Sequence, residues 1–239
     1  LKEVTTYSFF DIGDVVTHST DFLCEQCRLY QTCKSPRMPL TGGGRTKTLL
    51  IAEAPGEDED LENRQLVGEV GKWFSKKLKQ RGLDLEKDFW KTNAVRCRPP
   101  NNREPSRNEL ISCRPDIEKQ IRELKPRFVW LLGGAAIESY FMDRFSDLKP
   151  SRWRGLCIPD FVNGVWVIPI FHPSFAYRNE DDPLILSQYE RDLDFAIECV
   201  RTKGKLENFA VPDLNSVRIL KNFDEVCDLL EDLVEKPTE

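Results

Sequence analysis

Four short apolar runs divide this chain, at 46–53, 89–95, 127–132 and 165–171. Segments with helical spacing lie between and after them. Gly71 to Arg81 sets Trp73, Phe74 and Leu78 on one face and stops at Gly82. Ser106 is placed as the N-cap of a helix from Arg107 to Leu124, with Glu109 completing a capping box. Ala135 to Met142 reads as a short helix and Leu186 to Arg201 as a last one. Strands that alternate with helices predict an open, mostly parallel sheet with helices on both faces. Pro169 interrupts the fourth run. It has no N–H for a ladder, so that strand is expected at an edge or carrying a bulge. Residues 1–46 read as irregular, with a Gly42-Gly43-Gly44 turn.

An open parallel sheet binds ligands at the carboxyl ends of its strands, and three of the runs end in polar residues there. The first ends at Glu53, turns through Ala54-Pro55-Gly56 and opens into the acidic loop Glu57-Asp58-Glu59-Asp60. The second carries Asn93, and the fourth ends at His172. On one rim, the three side chains can face a common pocket. An asparagine amide presents a donor and an acceptor side by side, which fits the N–H and C=O edge of a pyrimidine such as uracil. A histidine can hydrogen-bond an oxygen as negative charge develops on a leaving base. A carboxylate can position water or stabilise a cationic sugar centre. Each residue alone is as readily structural; the combination points to base chemistry.

The cysteines form a second constellation. Cys24 and Cys27 make a two-ligand hook, and Cys97 and Cys113 stand fifteen residues apart in the spacer between them, with Cys113 inside the expected helix. Four thiolates so distributed can hold zinc or an iron–sulfur cluster, and spacing alone does not choose. Buried free thiols are the alternative. Cys33 is a rival ligand near the hook, while Cys157, Cys199 and Cys227 read as structural. Eight cysteines without a secretory leader argue for a reducing, cytoplasmic setting rather than a disulfide framework. No stretch of about 18 apolar residues is present, so no membrane span is expected. Leu1 is not an initiator methionine, so the chain is expected to be trimmed or cut from something longer.

The net charge of −5 seems unsuited to a nucleic-acid partner, but it is unevenly spread. Residues 222–239 hold seven carboxylates against Lys236 alone, which leaves the first 221 residues at +1. Two basic clusters stand out there: Lys72, Lys76, Lys77, Lys79 and Arg81, then Arg96, Arg98, Arg103 and Arg107. Such clusters supply phosphate contacts or form a solvated helix face.

Between Cys24 and Arg201 these residues resemble a known family. The carriers are Cys24-x2-Cys27, Glu53 to Asp60, Val67-Gly68, Gly71, Thr92-Asn93, Cys97-Arg98-Pro99-Pro100, Asn102-Arg103, Cys113-Arg114-Pro115 and His172-Pro173-Ser174. The pattern is similar to that of the family 4, iron–sulfur uracil-DNA glycosylases. The resemblance implies a three-layer αβα sandwich around a four-stranded, mostly parallel sheet. It implies a 4Fe–4S cluster on Cys24, Cys27, Cys97 and Cys113, with zinc the lesser alternative. It further implies that Glu53 and His172 are catalytic, that Ala54, Gly56, Leu66 and Asn93 contact the base, and that Ser174 and Arg178 contact DNA. Three positions depart from the family pattern: Ala52 replaces a glycine, Leu66 replaces the phenylalanine that stacks on the base, and Val70 replaces a small residue.

The expectation is a monofunctional glycosylase that releases uracil from single- or double-stranded DNA, acting as a monomer. The alternative, prompted by Leu66 and Ala52, is a catalytically weakened DNA-binding module attached to a polymerase. The expected organisation is an N-terminal cysteine segment (1–46), a glycosylase-like core (47–203) and an extension (204–239). Within the extension, Val217 to Val226 resembles the lead-in to the proofreading exonuclease domain of a family A DNA polymerase, or is a capping strand and helix.

Overall fold

Strands β1 (Thr48–Ala52) and β3 (Phe128–Leu132) are buried at every residue, as central strands covered on both faces must be. They belong to a computed structural model that describes residues 20–145 and 147–206. The 217–226 segment therefore lies outside the described residues. The remaining strands are β2 (Phe89–Asn93), β4 (Ile158–Asp160) and β5 (Val165–Ile170). Sheet order is β2-β1-β3-β5-β4, with every pairing parallel except β4 against β5.

The helices are α1 (Thr20–Cys27), α2 (Glu57–Glu62), α3 (Glu69–Lys79), α4 (Leu85–Asp88), α5 (Arg107–Leu124), α6 (Gly134–Phe141), α7 (Pro150–Trp153), α8 (Pro173–Arg178) and α9 (Pro183–Thr202). On one face Leu49, Ile51, Val129 and Leu131 pack beneath Ile117 and Ile121 of α5 and Ile137 of α6. On the other, Leu50, Phe128 and Trp130 pack beneath Phe74 and Leu78 of α3 and Leu193 and Ile197 of α9. This is the αβα sandwich. Alternation along each strand sends neighbouring side chains to opposite cores, and each large side chain so buried contributes about 1.5–3 kcal/mol.

The α5 capping box forms as its sequence requires. The Glu109 N–H donates to Ser106 Oγ at 3.4 Å, and Glu109 Oε2 accepts from the Ser106 N–H at 2.7 Å. Pro169 lies opposite Leu131 of β3, but β4 pairs only with Val165 to Val167. The side of β5 that lacks a donor is thus locally an edge, although β5 is an inner strand.

Three features differ from the sequence expectation. Residues 20–27 of the segment read as irregular form α1, which packs along α5. The acidic run after Gly56 is helix α2 rather than loop; the Gly56 N–H donates to Glu59 Oε2 at 2.7 Å and caps it. The sheet has five strands rather than four. The addition, β4, is Ile-Pro-Asp, too short to show a period. It is held from outside: Asp160 accepts from the Tyr140 hydroxyl at 2.6 Å and from Arg144 at 3.2 Å. Among the described residues no helix is long and apolar enough to cross a membrane.

Candidate active site and cysteine cavity

The parallel register sets the rim. Ala52 pairs with Asn93, so Glu53 begins one residue beyond. The backbone ladder continues there, with Ala94 N–H donating to Ala52 O at 2.7 Å and Val95 N–H to Glu53 O at 3.0 Å. Leu132 pairs with Ile170, and two residues on His172 caps the N-terminus of α8. All three expected pocket residues thus leave the sheet at the same end. Asn93 is buried, and its Nδ2 approaches Met38 Sδ at 3.9 Å.

His172 is the most constrained of the three. The Ser174 N–H donates to its Nδ1 at 3.2 Å, and Ser174 Oγ lies 2.8 Å from the same nitrogen. An Nδ1 that accepts from a backbone N–H leaves the ring proton on Nε2. Burial, followed by the positive charge of Arg178, pushes the imidazole pKa down to about 4. The ring is therefore neutral at pH 7, with one N–H to donate. Glu53 moves the other way: burial and then the nearby Glu104 raise its carboxyl pKa, and Arg178 partly offsets this. Arg178 is thus within electrostatic reach of both Glu53 and His172.

The expected base contacts are placed differently from one another. Ala54 and Gly56 line the turn after β1, where a Cβ on Gly56 would meet Glu59 Oε2 at 2.5 Å. Leu66 is buried with φ of 57° and packs with Leu50 and Ala52 under the sheet. A Cβ on Gly71 would meet the Leu66 carbonyl oxygen at 2.0 Å, so glycine at 71 is what lets this turn close. Ala52 is buried in β1 and keeps its register with Asn93. Ser174, expected to contact DNA, hydrogen-bonds His172.

Three residues with structural duties here escaped the sequence reading. Gly133, φ 88°, ends β3 directly against His172. Asp60 of α2 accepts from the Lys34 N–H at 3.0 Å and the Ser35 N–H at 2.8 Å. Gln65 accepts from Thr41 Oγ1 at 2.5 Å and donates to Pro39 O at 2.6 Å. Together they lace the stretch after Cys33 to the loop that carries Leu66. An acidic run and a polar residue beside an apolar one carry no sequence signal for such a role.

Cys24, Cys27, Cys97 and Cys113 line one small pocket, with Tyr30 and Arg96 in its wall. The Arg37 N–H donates to Cys97 Sγ at 3.3 Å. Burial is the main cause that pushes the Cys97 and Cys113 thiols up to about 12. A bound metal replaces such protons outright. The donor set fits a thiolate-ligated group: four cysteines around one pocket, with Cys97 Sγ already accepting a backbone N–H. Among the described residues no three Cys, His, Asp or Glu side chains are drawn close enough to hold a single ion; the sulfurs surround a space. Cys33 hydrogen-bonds the Cys97 thiol but is not in the cavity lining.

Residues 39–194 match the family model described as the uracil DNA glycosylase superfamily. The chain is 33% identical over 192 residues to a type-4 uracil-DNA glycosylase of Saccharolobus solfataricus, covering 78% of this chain and 86% of that protein. It is 35% identical over 153 residues to one of Thermotoga maritima, covering 63% and 78%. A DNA polymerase of Bacillus phage SP01 is 20% identical over 201 residues, which is 83% of this chain and 21% of that protein.

Proposed function

The chain belongs to the uracil DNA glycosylase superfamily, in its type-4 branch, and on that premise we propose that it hydrolyses the N-glycosidic bond of uracil in DNA, as the first step of base-excision repair. The observation that carries this reading is the neutral His172, its proton held on Nε2, on the same rim as Glu53 and with Arg178 within electrostatic reach of both.

The target nucleotide leaves the stack at a cost of a few kcal/mol. Asn93 reads the donor–acceptor edge of uracil, and Leu66 gives the ring an apolar wall. As the bond breaks, negative charge gathers on the base and positive charge on the sugar. His172 Nε2–H donates to the uracil oxygen that takes up the charge. One such donor is worth about 10²–10³ in rate. Glu53 stabilises the cationic sugar and orients the attacking water, and Arg178 faces the DNA backbone. Ala54 and Gly56 shape the turn that brings the Glu53 side chain to the rim.

Cys24, Cys27, Cys97 and Cys113 are the residues that would hold a 4Fe–4S cluster, with zinc the lesser choice. Held there, such a group would supply a structural cross-link between α1 and the 97–113 segment rather than redox chemistry. The protein acts as a monomer on single- or double-stranded DNA.

Oligonucleotides carrying one uracil, incubated with the protein and then cleaved at abasic sites with alkali, test the reading. Cleavage at uracil that is lost in His172→Ala is expected. Release no faster than in that variant ends the proposal.

A second reading draws on Leu66 and on the similarity to the phage DNA polymerase: a weakened glycosylase-like module working beside a polymerase in the same chain. Base–aromatic stacking is worth about 1–3 kcal/mol. Binding without release in the wild type, with release restored by Leu66→Phe, favours this second reading.

A further inference from the structure

The two basic clusters have different fates in the fold. The arginines are consumed internally. Arg96 pairs with Asp116 at 2.7 Å, Arg98 with Glu57 at 3.4 Å, Arg103 with Glu109 at 2.6 Å and Arg107 with Glu138 at 3.0 Å. On α3, Lys77 is likewise taken by Glu190 of α9. Lys72, Lys76 and Lys79 are not: all three are exposed, and none has an ion pair among the described residues. Their spacing puts them on one helix face, where with Ser75 they form a wall of a large open groove. The opposite wall is the 62–67 loop, and Leu85 and Glu86 close the far end.

Charge and position both identify an occupant. Glu86 is already engaged, by Lys91 at 2.5 Å and Arg64 at 3.8 Å. Among the described residues Glu62 is then the lining carboxylate left without an ion pair, against three exposed lysines that also lack one, so the groove favours an anion with repeated charges. Lys72 to Lys79 covers about 10 Å along the helix axis, longer than a single phosphate. Leu66, proposed above to face the base, is also in the lining of this groove.

We propose that this groove carries the phosphodiester backbone of the DNA strand flanking the extruded nucleotide, with Lys72, Lys76 and Lys79 as its phosphate contacts. This rests on the DNA reading above and extends it from the pocket to the strand beside it. The contacts are sequence-independent, because lysine ammoniums meet phosphates and no aromatic side chain lines the groove to stack on bases.

The test compares the full chain with Lys72→Gln/Lys76→Gln/Lys79→Gln and with each single variant. Binding to a long, fluorescein-labelled, undamaged single strand is read by anisotropy across a salt series. Uracil release is read on the same long strand carrying one uracil and on a trinucleotide with uracil in the centre. Each phosphate contact on a single strand contributes about 0.7 to the slope of log K against log salt, so the triple variant loses about 2 and each single variant about 0.7. Affinity for the long strand falls at least roughly tenfold at low salt, and release from the trinucleotide keeps its wild-type rate. Unchanged affinity and slope in the triple variant overturn the groove assignment. If the wild type releases uracil from neither substrate, the glycosylase reading fails, and the anisotropy series still decides the groove.

Discussion

Gly133 lies against the Cβ of His172 so closely that a methyl group on it would sit 2.8 Å from that carbon. Its φ of 88° also lies where a side chain is strained. The end of β3 thus fixes how near β5 can bring its histidine. Gly133→Ala should cost about 1–2 kcal/mol of stability, read by urea unfolding. A displacement of the imidazole by about 1 Å should lower uracil release roughly 10²-fold. Near-wild-type release from this variant would show that the contact does not position His172.

The depressed pKa of His172 makes a prediction about pH. With a folded value of about 4 against an ordinary 6.5, the unfolded chain binds the proton first as pH falls. Stability should therefore be full above about pH 6.5 and decline as pH drops towards 4, by up to about 3 kcal/mol from this residue. His172→Gln should flatten that part of the curve in urea titrations at stepped pH. Release rate should show no histidine inflection between pH 6 and 8.

Ser174 supplies both a backbone N–H and a hydroxyl to Nδ1. Ser174→Ala keeps the backbone donor and hence the tautomer. Its release rate should fall by no more than about tenfold, against about 10²–10³ for His172→Ala. A loss as large as that of His172→Ala would mean that the hydroxyl, not the backbone, sets the ring.

The cysteines divide into two groups. Purified protein should be brown and carry iron. Cys113→Ala should lose the colour and the iron, together with about 10 kcal/mol or more of metal-linked stabilisation if the whole group is lost. Cys33→Ala, outside the cavity lining, should keep both. Zinc without iron in the wild type, by elemental analysis, would select the other metal.

Asp60 is buried and holds the Lys34 and Ser35 N–H groups. Asp60→Ala leaves both donors without a partner, at a cost of about 1–3 kcal/mol for each that stays buried. Limited proteolysis should then cut between Cys33 and Met38 faster than in the wild type.

Much of this was legible in the sequence because it follows from period and punctuation. The helix of Arg107 to Leu124 declared itself by Ser106 and Glu109. The strand ending at Glu53 declared itself by an apolar run that stops at Pro-Gly. Three polar residues at three strand ends then suggested a rim. What stayed hidden depends on partners distant along the chain. Strand β4 exists because Tyr140 and Arg144 anchor Asp160, and no local pattern encodes that. Gly133 reads as an ordinary strand terminator until His172 is seen beside it. The lysine and arginine clusters look alike as text; only the placement of Asp116, Glu57, Glu109 and Glu138 shows which of them is left free.

The sheet order β2-β1-β3-β5-β4 also sets the moment at which the site comes into being. On a growing chain Glu53 and Asn93 emerge early and can find each other as β1 pairs with β2. His172 cannot join them until β3 has been laid down and β5 has docked on its far side. The pairing of β1 with β3, Thr48 opposite Phe128, has the largest sequence separation in the sheet and is of the kind slowest to form. In the mechanism proposed above, a nascent or prematurely ended chain would have pocket walls but no group to draw charge from the departing base. The capacity to release the base would arrive last, on a sheet already formed.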